Sequence, residues 1–165
     1  MNNRTKINID PNDLREETLI IKRCALVVKG GRRFSFAAYV VVGNENGILG
    51  FGHGKAKDVA SAVAKASKEA RTKLFSVEIE ESTVPHPVKG RFTSSNIAIM
   101  PAKPGTGVIA CTPVRAIMQM AGVHDVLTKS FGNNNAVNLA KATIDGLKQM
   151  RSRKTVEAQR GVKLS

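Results

Sequence analysis

Tryptophan is absent from the 165 residues, tyrosine occurs once and phenylalanine six times. Proteins that read single strands need flat side chains on which bases stack. A chain this poor in them is expected to grip phosphates and helical shape rather than individual bases. Cysteine is scarce too. Cys24 and Cys111 lie far apart, as reduced thiols in a cytoplasm do, and each is expected to be a small buried apolar residue. His53, His86 and His124 are widely separated and lack the spacing of metal ligands. No strained Gly-x-Ser-x-Gly elbow occurs. No apolar run approaches a membrane span, no lipidation signal is present, and the acidic Asp10, Asp13, Glu16 and Glu17 do not suit a targeting peptide. The expectation is no enzyme, no cofactor, no metal, no membrane and no small-molecule substrate.

What is abundant is positive charge. Twenty-six Lys and Arg against thirteen Asp and Glu give a net charge of +13. Such an excess opposes folding by self-repulsion, and it implies a polyanionic partner. Residues 1–75 carry fourteen basic and seven acidic side chains, and residues 76–165 carry twelve and six. Both halves are basic, so the partner is touched from more than one side. With 42% hydrophobic residues, the chain can still build a core.

Periodicity divides the chain into an expected flexible N-terminal arm (1–17), a first unit (18–75), a second unit (76–150) and a basic C-terminal tail (151–165). Thr18 to Val28 and Phe34 to Val42 read as strands, Asn46-Gly47 as a tight hairpin turn, and Gly47 to Gly54 as the returning strand. Asp58 offers an N-cap to a helix whose inner stripe is Val59, Val63, Ala66, Ala70 and Leu74. The first unit is thus a three-stranded antiparallel sheet plus one helix. In the second unit, Val77–Glu80, Phe92, Asn96–Met100 and a buried Val108–Ala110 read as strands. Thr112-Pro113 opens a helix that Gly122 ends; a strand over Val123–Phe131 and a last helix, capped near Asn133–Asn135, follow. The fold class is α+β, with a two-layer α/β second unit.

The sharpest local feature is Val28-Lys-Gly-Gly-Arg-Arg-Phe-Ser-Phe36. Gly30 and Gly31 leave backbone amides uncovered beside Lys29, Arg32 and Arg33, a combination suited to phosphate oxygens. The plainer alternative is a solvated hairpin that happens to be basic. Lys22 and Arg23, in the preceding strand, add to the same cationic set. Gly50-Phe-Gly-His-Gly-Lys55 invites a nucleotide-loop reading, yet Leu49 and Ala56 stand where a P-loop needs Gly and Ser or Thr. Lys55 and Lys57, near a helix N-terminus, remain candidates for an RNA phosphate.

Lys29-Gly-Gly-Arg-Arg-Phe-Ser-Phe36 and Val40-Val-Val-Gly-Asn-Glu-Asn-Gly-Ile-Leu-Gly-Phe-Gly-His-Gly-Lys55 closely resemble the signature of the bacterial small-subunit ribosomal protein five family. Pro87–Gly90, Gly105–Gly107, Ala121–Val126 and Ala142–Leu147 resemble it in the same order, over roughly residues 15–150. The resemblance implies a first unit similar to a double-stranded-RNA-binding domain and a second with a left-handed crossover. It implies a cytoplasmic ribosomal protein that binds small-subunit rRNA through the Lys29–Arg33 loop, contributes to assembly and translational accuracy, and lies near the messenger entry path. Small-subunit ribosomal proteins four and eight are the implied neighbours, with Gly107 and Arg115 facing protein four. Glu45 stands where the family usually has glycine. Two rivals to this reading are a free-standing double-stranded-RNA-binding regulator and an enzyme with a phosphate-bearing substrate.

Overall fold

The computed structural model describes residues 13–162, so the expected arm as far as residue 12 and the tail beyond residue 162 lie outside the described residues. Two four-stranded sheets are formed, one from each half of the chain. The first contains β1 (Arg15–Val28), β2 (Gly31–Gly43), β3 (Ile48–Ala56) and β4 (Leu74–Ser76), antiparallel in that order, with α1 (Val59–Thr72) between β3 and β4. This corrects three expectations. The sheet has four strands rather than three, because Leu74–Ser76 returns from α1 to pair with Ile48–Gly50. Val77–Glu80 therefore opens no new sheet; the Val77 amide donates to the Gly47 carbonyl at 2.7 Å and its side chain enters the core. Residues 15–17, assigned to a loose arm, already belong to β1.

The glycines of β3 serve packing. Gly50, Gly52 and Gly54 lie under α1, against Ala70, Ala66 and Ala62. A Cβ built on Gly52 would sit 2.5 Å from the Ala70 nitrogen and closer still to the Ala66 carbonyl oxygen. Helix backbone thus rests almost directly on strand backbone, and only alanine fits the helix face that meets it. The buried stripe is accordingly Ala62, Ala66 and Ala70, with Val63 partly buried beside it. Leu74, expected on the helix, is in β4. Asp58 occupies the N-cap position, but its side chain makes no capping bond.

The second sheet contains β5 (Val88–Phe92), β6 (Ser95–Pro101), β7 (Val108–Ile109) and β8 (Val126–Gly132) in the order β5-β6-β8-β7. β7 runs parallel to β8 and is joined to it through α2 (Thr112–Ala121). Val108–Ile109 is an edge strand with Ile109 exposed, not the buried strand expected. The N-cap of α2 is Cys111, one residue earlier than Thr112, and its C-cap is Gly122 at φ +91°, a left-handed position that suits glycine. In α3 (Ala136–Gln149) the Asn135 side chain accepts from the Val137 amide. The expected tail contains a further helix, α4 (Arg153–Arg160), capped by Ser152.

The two units share one core. Val41 and Leu49 of the first sheet pack in the same buried cluster as Ile117 and Met118 of α2 and Ile97 and Ile99 of β6. A polar joint reinforces it. The β2–β3 connection spans residues 44–47, longer than a two-residue turn; positive φ falls at Glu45 (+56°) and Gly47 (+82°), and Asn46 is not left-handed. The Asn44 side chain accepts from the Asn46 and Ile48 amides at 2.8 and 3.1 Å. The Glu45 and Gly47 amides then donate to the Met120 and Ala121 carbonyls at 3.1 and 2.9 Å. Those carbonyls end α2 and have no partner within the helix. The turn therefore caps α2, which is why Glu45 holds a conformation that glycine would hold more easily.

Candidate nucleic-acid interface

Strands β1 and β2 are longer than β3. Their ladder continues from Arg23↔Phe36 through Cys24↔Ser35, Ala25↔Phe34, Leu26↔Arg33 and Val27↔Arg32 to Val28↔Gly31, whereas β3 first meets β2 at Phe36↔Ala56. Five residue pairs thus form a two-stranded ribbon projecting beyond the sheet, about 16 Å at 3.3 Å per residue. Its tip is Lys29-Gly30, followed by Gly31 at φ +136°. Lys22, Arg23, Lys29, Gly30, Gly31, Arg32 and Arg33 are all exposed.

Directly paired residues of an antiparallel ladder share a face. Lys22, Leu26 and Arg33 therefore lie on one face, and Arg23, Val27, Arg32 and Phe34 on the other. The Arg23 guanidinium sits 4.6 Å from the centre of the Phe34 ring. The ribbon therefore carries exposed cations on both faces. Its apolar side chains are exposed too: Leu26 is 64%, Val27 73% and Phe34 49% exposed, a cost in water that burial against a partner removes. Lys55 joins the base of this site, because Lys22 and Lys55 flank Ala37 in one cross-strand row. Lys57 is exposed just past the end of β3.

Charge is left unneutralised here. No Asp or Glu occurs between Thr18 and Asn44, and among the described residues the ion pairs of this unit engage other cations. Glu45 pairs with Arg15 at 2.6 Å, Glu16 with Arg71 at 2.8 Å, and Glu69 with Lys73. The Ser67 hydroxyl, aided by Arg71, holds the Glu16 carboxyl below the usual carboxylate range. Lys73, with the His53 amide, does the same for Glu69. The hollow beside the β2–β3 turn is lined by Glu45, Glu78 and Glu81, the wrong sign for phosphate. Among the described residues no group of three His, Cys, Asp or Glu could hold a metal ion. No helix there is long and apolar enough to cross a membrane.

Gly107 and Arg115 lie in the second unit, apart from the ribbon. Gly107, at φ +76°, precedes β7, and the Arg115 guanidinium donates to the Ala110 carbonyl at 3.3 Å. Sequence reasoning missed the group that fixes this loop. Asp125, nearly buried, accepts the Gly107 amide at 2.9 Å and the Ser82 hydroxyl at 2.8 Å. First the Gly107 amide and then Ser82 lower its pKa from the ordinary carboxylate value. Its partners are distant in sequence, so no spacing marks it. The cysteines are a correction: Cys111 is exposed and Cys24 only half-buried, because one sits at the open N-terminal end of α2 and the other lies on the ribbon.

These features define a class: a basic α+β protein of two units fused through one core, carrying a projecting cationic ribbon. Residues 14–78 match the family described as "Ribosomal protein S5, N-terminal domain", and residues 90–160 match "Ribosomal protein S5, C-terminal domain". The match extends through α4, further than the roughly 15–150 expected. The chain is 49% identical over 149 residues to "Small ribosomal subunit protein uS5" of Rhodopirellula baltica, covering 90% of this chain and 84% of that protein. It is 47% identical over 151 residues to the protein of the same name from Shewanella amazonensis, covering 92% and 90%. The chain belongs to the ribosomal protein S5 family. It is a structural ribosomal protein and not an enzyme.

Proposed function

We propose that the chain is a structural constituent of the small ribosomal subunit, anchored to small-subunit rRNA by the β1–β2 ribbon. Lys29, Arg32 and Arg33 at the tip, and Lys22, Arg23, Lys55 and Lys57 at the base, meet phosphates and release their counterions. The Gly30 and Gly31 amides add directional donors at the turn. Specificity comes from RNA shape and from protein neighbours. Small-subunit proteins four and eight are those neighbours, with the Asp125-held loop at Gly107, together with Arg115, facing protein four. In this position, beside the messenger entry path of the cytoplasmic ribosome, the protein supports subunit assembly and decoding accuracy.

The observation that carries this reading is the ribbon itself: two-faced, cationic, free of acidic residues and bearing exposed apolar side chains along its strands. Co-sedimentation tests it. Chain expressed in its own cells is expected in the small-subunit fraction at moderate salt. Recovery in the supernatant, with binding to any duplex RNA, would favour a free-standing regulator instead.

A further inference from the structure

The second sheet has one covered face and one bare face. Gly90, Ser95, Ile97, Ile99 and Val126 are buried on the side where α3 packs on β5 and β6. The alternate residues form rows across the other face. One row is Arg91–Asn96–Phe131 and the next is Lys89–Ala98–Lys129. Lys89, Arg91 and Lys129 are exposed, and Phe131 is about half exposed. A hollow of about 280 Å³ lies among Lys89, Arg91, Asn96 and Phe131.

Charge decides what this face receives. Between Glu81 and Asp145 the sequence contains one acidic residue, Asp125, and its carboxylate is bound to Gly107 and Ser82. Asp145 lies on α3, where it accepts the Arg91 main-chain amide at 3.1 Å and the Gln149 side chain at 2.8 Å. The bare face therefore presents three cations without a carboxylate of its own. Lys89 and Arg91 are two residues apart on one strand, about 6.6 Å, the scale of one step along a nucleic-acid chain. Phe131 offers a flat surface on which a base can stack, and Asn96 beside it offers both donor and acceptor.

From this geometry we infer that the bare face of the second sheet is a separate RNA-binding surface: it holds an unpaired RNA segment by its phosphates on Lys89, Arg91 and Lys129, with a base stacked on Phe131. The inference rests on the rRNA-binding reading above but uses a different unit, sheet and residue set. It also accounts for the charge found in both halves of the chain.

The test uses the full chain and purified small-subunit rRNA, with two triple-alanine variants measured in parallel: one at Lys89, Arg91 and Lys129, the other at Lys29, Arg32 and Arg33. Removing three contacts to an unpaired segment is expected to make the salt slope shallower by roughly 2, or binding about 100-fold weaker at about 0.1 M salt. Ultraviolet crosslinking of the unaltered chain needs no variant, and it is expected to recover an RNA adduct on the peptide bearing Phe131. If only the ribbon variant changes the slope and no adduct forms at Phe131, the inference is overturned while the proposed function stands. If neither variant alters binding, both fall. A sheet variant that keeps its RNA affinity but loses a neighbouring ribosomal protein would show the face to be a protein contact, and would also overturn the inference.

Discussion

Replacing Gly52 with alanine probes the tightest contact in the first unit. The added carbon would sit 2.5 Å from the Ala70 nitrogen, where ordinary contact begins near 3.4 Å, and closer still to the Ala66 carbonyl oxygen. Both neighbours are helix backbone, so no side chain can swing aside, and trimming Ala66 to glycine gives no relief. Helix α1 would have to retreat from the sheet by about 1 Å or more, loosening Ala62, Ala66 and Ala70 together. Overpacking against rigid neighbours costs about 1–3 kcal/mol and sometimes more; with backbone on both sides, about 3 kcal/mol is expected. For a chain of this size that lowers Tm by roughly 6–12 °C. Gly30→Ala is the control: nothing lies within 4 Å of the added carbon, and its effect is expected within about 0.5 kcal/mol. Thermal melts followed by circular dichroism measure both. A Gly52→Ala melt within about 2 °C of wild type would refute the close-packing account and reopen a functional reading of Gly50–Lys55.

Ile117 is fully buried in the cluster shared by the two sheets. Ile117→Ala is therefore expected to cost about 2–5 kcal/mol, and the fluorescence of Tyr39, the single tyrosine, should report the same shifted midpoint from the first sheet. Separate transitions would contradict a common core. Asp125 makes a pH prediction. Its folded-state pKa is lowered, so its contribution is complete above the ordinary carboxylate pKa of about 3.9 and is lost as pH falls below that, through the lowered folded value. Asp125→Asn is expected to show a smaller acid-induced loss than wild type as pH falls below the ordinary carboxylate range, measured by denaturant midpoints, and faster hydrogen exchange at Gly107. Equal acid sensitivity in the two proteins would sink that assignment.

Much of this architecture was legible because short-range chemistry states it. Gly122 ended α2 where expected, and the alternation in Phe34–Val42 and Asn96–Met100 marked real strands. The basic glycine loop lies at the tip of a hairpin, as its composition indicates. Long-range geometry was not legible. Nothing local says that Leu74–Ser76 pairs with Ile48–Gly50, because three residues carry no alternation and their partner is separated by a whole helix. Asn46-Gly47 suggested a two-residue turn, but the C-terminal carbonyls of α2 needed donors, and that tertiary demand set a longer connection with Glu45 left-handed. Thr18 to Val28 reads as a strand, but nothing in it says that β3 stops short of Leu26 and Val27 and leaves them exposed. Asp125 emerges only once Gly107, β8 and the Ser82 segment are placed together, and the bare face only once β5, β6 and β8 pair.

The most direct test is the salt dependence of small-subunit rRNA binding, with and without Lys29, Arg32 and Arg33. Each phosphate contact contributes roughly 0.7–0.9 to the slope of log affinity against log salt. The triple-alanine variant is expected to be shallower than wild type by about 2–3, and correspondingly weaker. A slope unchanged within error, with the fold intact, would contradict the claim that the projecting ribbon is the protein's anchor on RNA.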